Sequence, residues 1–254
     1  MIIRKQDDAF VMIKQHDHGE ISKKLYEQLY DRFLPKTYRS SIMYAIQQHD
    51  CGWIPFDKTP FWNDQSHTPY DFTDFPTSPK VVLYEHGINR IEEKDYYAAL
   101  LCSEHFTRFM KNDPDRVALQ FVDRELIRQK RLKAELAVNE ATFQKHYELL
   151  QFFDTLSLYI CLNEPGVSKN KEHVFFKEGI KLPQLFARNR TLIPKWASEQ
   201  DVELNYRLFS KDISLTLKQK VVSNEEIKKF GLQAAYSSAA VQEIPLRILN
   251  GIKQ

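Results

Sequence analysis

The first candidates for chemistry are an adjacent histidine and aspartate, His49 and Asp50, which stand directly before Cys51-Gly52. Apolar residues at helical spacing predict a helix over 40–51, so this pair closes a helix. A helix C-terminus leaves carbonyl oxygens unpaired and carries partial negative charge, which favours a divalent cation. Neighbouring helix positions point about 100° apart, so both side chains can reach one ion only from opposite flanks.

Asp154 is the second candidate because its surroundings are apolar. It lies in a helix predicted over 139–161, and three apolar residues share its helix face. Burying an unpaired carboxylate is costly, so Asp154 requires either a basic side chain or a metal ion. A metal ion there would be shared with His49 and Asp50.

Together with an upstream histidine, these residues follow the order H…HD…D, which resembles the HD-domain superfamily of helical, metal-dependent proteins, mostly phosphohydrolases. The string AIQQHDCGW is similar to the apolar helix that leads into HD-x-G, and FFDTLSLYIC is similar to the helix with the last Asp. HDCGW, the run Pro69-Tyr70-Asp71-Phe72 and SEHF together resemble a bacterial family of unknown function. The resemblance covers residues 10 to about 165. It implies four metal ligands: His18, His49, Asp50 and Asp154.

The ligand types indicate which metals fit. Imidazole and carboxylate in equal measure suit Mn, Fe, Zn or Ni better than Ca, and one or two ions are expected. Superfamily members with two metals take further histidines from the helices between the motifs, which by location implies His86 and His105. His16 stands two positions before His18, so the two should not share a helix face, and the resemblance favours His18.

Hydrolysis of a small phosphorylated molecule or nucleotide is the function that the resemblance implies. His86 or His105 would bind a second ion or donate a proton to the leaving group. Arg108 or Lys58 would neutralise phosphate charge.

Two alternatives stay open. Many phosphohydrolases of this kind have Lys shortly after HD-x-G, where this chain has Trp53. The resemblance also includes di-iron oxygenases, so an iron-dependent oxygenase is one alternative. The other is a non-catalytic ligand-binding or regulatory protein with a structural or degenerate metal site, in which the aromatic loop over 53–75 is a ligand or partner surface.

Composition and charge argue against a protein that binds mainly nucleic acid or spans a membrane. The chain has 254 residues, 43% hydrophobic, with 36 Lys+Arg against 34 Asp+Glu. The resulting charge of +2 does not indicate nucleic acid as the main partner. No run of 18 apolar residues, no signal peptide and three cysteines without CxxC indicate a cytoplasmic protein that does not bind membranes. We expect a small molecule as its partner, with a homodimer left open.

The predicted fold is mainly α, an HD-domain-like helical bundle with a small β-sheet. We expect residues 1–254 to form a single domain with a helical metal-site body over 16–165. The N-terminal hairpin, residues 1–15, should pack with the strand-rich C-terminal part, residues 166–254. Strands are predicted over 173–176, 202–208, 213–217 and 244–249.

Overall fold

The computed structural model describes residues 1–187 and 189–251, and it joins a helical part to a six-stranded sheet. The helices are α1 (Gln15–Glu27), α2 (Arg39–Gln48), α3 (Ile54–Lys58), α4 (Thr77–Glu92), α5 (Tyr96–Met110), α6 (Arg116–Glu135), α7 (Glu140–Leu162), α8 (Asn224–Phe230) and α9 (Leu232–Ser238). The strands are β1 (Ile2–Lys5), β2 (Ala9–Ile13), β3 (Trp62–Asn63), β4 (Thr68–Pro69), β5 (Ile180–Lys181), β6 (Thr191–Leu192), β7 (Pro194–Trp196), β8 (Asp201–Leu204), β9 (Ile213–Ser223) and β10 (Val241–Leu249).

The large sheet has the strand order β1-β2-β9-β10-β8-β7. Its β2 pairs antiparallel with β9, with Phe10 opposite Val222, so the N-terminal hairpin does join the C-terminal strands. In the first half of β9 the buried residues alternate with exposed or half-exposed ones, which is the period of a strand with one face on the core. The expected combination of a helical part and a sheet built from both ends of the chain is confirmed.

The helix α7 lies at the centre of the helical part and packs against α1, α2 and α5. Its start is fixed by Asn139, whose side-chain oxygen accepts a hydrogen bond from the Thr142 amide at 3.0 Å. Residues on most of its circumference are buried, which explains why its sequence is apolar nearly all round. Any polar side chain on α7 that faces these helices is therefore enclosed by them.

Two glycines allow the backbones around this centre to approach closely. A Cβ atom on Gly19 of α1 would lie 2.5 Å from the carbonyl oxygen of Gln47 in α2. A Cβ atom on Gly52 would lie 2.0 Å from the carbonyl oxygen of Leu83 in α4. Because backbone atoms cannot move aside cheaply, only glycine permits these contacts, which hold the end of α2 against two neighbouring helices.

The structure corrects two local expectations. Residues Val174–Phe176 form a short 3-10 helix and not a strand, since only Phe176 of the three is buried and the alternation of a strand is missing. The tail also contains α8 and α9, which strand patterns did not indicate. None of the helices in the described ranges combines the length and the hydropathy that a membrane crossing requires.

Candidate metal centre

Three buried side chains from three helices converge between α1, α2 and α7. They are His18 of α1, His49 at the end of α2 and Asp154 of α7, and one ligand atom from each lies within 4.8 Å of the other two. Ligand atoms around an ion with bonds of about 2.1 Å lie about 3–4 Å apart, so small shifts would bring all three to one ion. This group could hold a metal ion.

His49 turns its Nε2 toward the carboxylates, while its other ring nitrogen, Nδ1, carries a proton. Its Nδ1 lies 2.9 Å from the Ile46 carbonyl oxygen, which can only accept, so Nδ1 carries a proton. Its Nε2 is buried and has no hydrogen-bond partner among the described residues. That atom lies 3.3 Å from Asp154 Oδ1 and 3.6 Å from Asp50 Oδ2, so a proton or a cation must separate it from the two carboxylates.

His18 is oriented in a similar way by a hydroxyl group. Its Nδ1 lies 2.9 Å from Ser157 Oγ, and Ser157 donates its own proton to the Asp154 carbonyl oxygen at 2.8 Å. The contact with Ser157 holds the ring so that Nε2 turns toward Asp50. Fixing the far nitrogen of a histidine by a second hydrogen bond is the usual arrangement around metal-ligating imidazoles.

Asp50 is a second carboxylate beside this group, outside the three residues whose ligand atoms could share one ion. Its Oδ2 lies 2.8 Å from His18 Nε2 and accepts a hydrogen bond from Gln15 Nε2, also at 2.8 Å. Burial by itself would raise the pKa of Asp50, but His49 and His18 outweigh it and hold the pKa well below its usual value. Asp50 is therefore an anion at neutral pH.

Burial and nearby charges also have opposite effects on the pKa values of His49 and Asp154. Burial lowers the pKa of His49, but the two neighbouring carboxylates outweigh it and raise the pKa to about 9. The pKa of Asp154 is lowered, because contacts with His49 and other histidines exceed the effect of burial. Asp154 in the group and Asp50 beside it thus stay ionised and attract positive charge.

A family model described as a protein of unknown function, DUF3891, matches residues 1–224. The chain belongs to the DUF3891 family. The match includes all the residues of the group described above, and the family description assigns no activity to them. No curated protein and no solved structure gives a significant match to the chain.

In this DUF3891 member, His105 of α5 adjoins the same group. Its Nε2 lies 3.7 Å from Asp154 Oδ2, and its ring centroid lies 5.5 Å from that of His49. Its Nδ1 is buried without a hydrogen-bond partner in the described part of the chain. Burial lowers the pKa of His105 to about 4, so the ring is neutral at pH 7, as a metal-binding imidazole must be.

Two predicted site residues lie elsewhere. His86 is exposed on α4, because the buried stripe of that helix passes through Tyr84, Gly87 and Ile88 and leaves position 86 on the solvent side. The structure therefore does not bring His86 into the buried group. Lys58 is also exposed, at the end of α3, and the structure does not bring it to the group.

Arg108 lies one helical turn after His105, near the group but not in it. Its Nε donates to Glu104 at 2.7 Å, and its Nη2 donates to Gln144 at 2.8 Å. The guanidinium carbon lies 4.3 Å from the ring centroid of Tyr147. Of the two cations predicted to meet phosphate charge, Arg108 is the one with a side chain close to the histidines.

Trp53 is part of the core and does not line an open pocket. It is 1% exposed and packs against Phe56 and Phe75, with ring centroids 5.6 and 5.5 Å away. The aromatic residues that follow HD-x-G therefore support the end of α2, and Phe61, which is exposed, stacks on Phe56.

Sequence reasoning missed the polar residues that orient the ligands. Ser157 stands three positions after Asp154, on the same face of α7, and that spacing could have indicated it. Gln15 stands in the string before His18, but nothing in the sequence places its amide at Asp50. The choice between the two N-terminal histidines agrees with the structure, since His16 is half-buried near Glu20 and His18 lies in the group.

Proposed function

We propose that this DUF3891 member is a metal-dependent hydrolase that acts on a small phosphorylated molecule or nucleotide. The observation that carries the proposal is the buried group of His18, His49 and Asp154, in which the unpartnered Nε2 of His49 faces two carboxylates. Within the described ranges, no Lys or Arg forms an ion pair with Asp50 or Asp154, so only histidines balance their charge and a divalent cation could do so in place of the histidine protons.

The resemblance to HD-domain proteins supports the same proposal. It implies His18, His49, Asp50 and Asp154 as the ligands of one ion. Of these, His18, His49 and Asp154 lie close enough to share an ion, and Asp50 contacts His18 beside them. Two imidazoles and two carboxylates suit Mn, Fe, Zn or Ni. A metal bound there would act as a Lewis acid that activates water and balances charge on a phosphoryl group.

The remaining residues would position the substrate and move protons. His105 is buried and neutral at pH 7, so it can accept a proton or provide a ligand for a second ion. Arg108, three positions further along α5, supplies a guanidinium group that suits phosphate oxygens.

An iron-dependent oxygenase is the second candidate, and the ligand types of the three converging residues favour it. Two histidines and one carboxylate with open positions are typical of non-haem iron oxygenases, and His18, His49 and Asp154 supply such a set. Asp50 distinguishes the two candidates, because the oxygenase needs only one carboxylate. A non-catalytic protein with a degenerate site would have Asp154 paired with Lys or Arg, whereas the described residues around Asp154 are histidines.

An activity screen with matched variants tests the proposal. Protein loaded separately with Mn²⁺, Fe²⁺, Zn²⁺ or Ni²⁺ is assayed on a panel of phosphomonoesters and nucleotides and, for Fe²⁺, for oxygen consumption. We expect phosphate release that Asp50→Asn abolishes and Glu92→Gln, a surface control, leaves unchanged. Oxygen consumption without phosphate release would favour the second candidate, and neither activity in metal-loaded protein would contradict both.

A further inference from the structure

A cavity of about 300 Å³ lies between α5, α7 and residues 179–183 of the tail. Its walls include Arg108 and Tyr147, together with Gln151 and Thr155 of α7. Gln151 and Thr155 stand three positions before and one after Asp154. Asp154 is also the most open member of the metal group, with 10% of its side chain exposed. The cavity is thus lined by residues of α7 that flank Asp154 in the chain, while Asp154 itself is not among its walls.

Tyr147 connects the cavity to the histidines. Its ring centroid lies 6.4 Å from that of His105, while the residue itself lines the cavity. The side chain is 1% exposed, and its hydroxyl has no hydrogen-bond partner among the described residues. A buried hydroxyl without a partner costs free energy unless a ligand or an ordered water accepts its proton.

The charges of the cavity favour an anion. Arg108 and Lys181 line it, and Glu148 is the carboxylate in its walls. Both oxygens of Glu148 already accept hydrogen bonds from Gln184, at 2.8 and 3.0 Å. Arg108 is held by Glu104 and Gln144 and lies over the Tyr147 ring, so its guanidinium group is fixed before any ligand binds.

We propose that this cavity is the substrate pocket of the metal centre and binds a small organic oxyanion, with Arg108 and the Tyr147 hydroxyl as its donors. This inference rests on the proposed metal centre, and it identifies where the substrate lies relative to that centre. A cavity of this volume suits a small metabolite and not a macromolecule. The phosphoryl or carboxylate group of such a molecule would lie between Arg108 and the histidines.

Inorganic phosphate and Co²⁺-loaded full-length protein provide the test. Co²⁺ has a visible absorption spectrum that reports on its ligands and neighbours. We expect phosphate to change this spectrum in the wild type, with a dissociation constant that rises at least about tenfold in Arg108→Gln and about tenfold in Tyr147→Phe. Co²⁺ binding by each variant shows that its metal centre is folded.

Matched controls separate the pocket from general effects. Arg131→Gln removes a surface arginine of α6, and Tyr26→Phe removes another buried hydroxyl that has no partner in the described ranges. Both should bind phosphate as the wild type does. Equal phosphate binding by all variants, or no spectral change in the wild type, would overturn the pocket and leave the metal centre standing. Failure of the wild type to bind Co²⁺ would overturn both.

Discussion

Two clusters of charged residues in this chain differ in how completely they pair. On the surface between α4 and α6, Arg124 contacts Glu85 at 3.0 Å, and Arg128 and Arg131 both pair with Glu92. A cavity of about 700 Å³ lies there, larger than the one beside Tyr147. In the buried metal group, two carboxylates face histidine nitrogens, and no Lys or Arg of the described ranges pairs with either one.

The difference shows why cavity size alone does not locate the chemistry. Each arginine of the surface cluster already has a carboxylate, and exposed ion pairs of this kind contribute little free energy. The buried cluster has two carboxylates that only histidines balance in the metal-free protein, and a metal ion could take the place of the His49 proton. The buried cluster is therefore the better candidate for binding a cation.

Metal should stabilise the protein strongly through the buried cluster. At a metal concentration about 100 times the dissociation constant, the free energy of unfolding should rise by about 2.7 kcal/mol. Asp154→Asn should remove this gain, whereas Glu92→Gln in the surface cluster should keep it. Thermal or urea unfolding with and without Mn²⁺ measures the effect, and equal gains in both variants would contradict the assignment.

Metal affinity should depend on pH through His49. In the metal-free protein its pKa is about 9, above the usual 6.5, so its proton stabilises the fold fully below about pH 6.5. This stabilisation is lost as the pH rises through 9. Since a bound metal must displace that proton, affinity should rise about tenfold per pH unit between pH 7 and 9. Titration calorimetry in several buffers checks this, and a flat profile would show that His49 is not a ligand.

The Ser157 hydroxyl, which contacts His18, should contribute less to metal affinity than the ligands themselves. Ser157→Ala removes the partner of His18 Nδ1, and we expect metal affinity to fall about 10- to 100-fold. Ser238→Ala is a matched control, because Ser238 also donates to a carbonyl three residues earlier, at 3.0 Å. Equal affinities in the two variants would mean that Ser157 does not support the site.

The smallest effect should come from the surface cluster. Arg131 is about half exposed and pairs with Glu92 and Glu135, so Arg131→Gln should cost less than about 1 kcal/mol of unfolding free energy. Urea unfolding at low and high salt measures it, and the difference from the wild type should shrink at high salt. A larger cost, independent of salt, would show that the surface cluster is a structural core in its own right.

The sequence predicted site residues and strands correctly where the residue types and the local hydrophobic pattern indicated the same structure. The His49-Asp50 pair at a predicted helix end and the apolar face around Asp154 led to the residues that converge in the structure. The N-terminal hairpin and the β9 and β10 strands were also indicated, by short runs of apolar and β-branched residues. In each case a short local pattern determines which way the side chain points.

The sequence was insufficient where a rotation of about 100° along a helix decides the outcome. His86 lies between Glu85 and Gly87, and Gly87 marks the buried face of α4, because Gly87 packs against Gly52. Likewise, the contacts of Gln15 with Asp50 and of Tyr147 with the cavity depend on how separate helices pack, which no local pattern encodes.

Metal content tests the central claim most directly. The protein is purified without a metal-affinity column and analysed by mass spectrometry, as wild type and as Asp50→Ala, Asp154→Ala and the surface control Glu92→Ala. We expect one or two transition-metal ions per chain in the wild type and in Glu92→Ala, and none in the other two variants. A folded wild type that stays metal-free after exposure to Mn²⁺, Fe²⁺, Zn²⁺ and Ni²⁺ would contradict the metal centre.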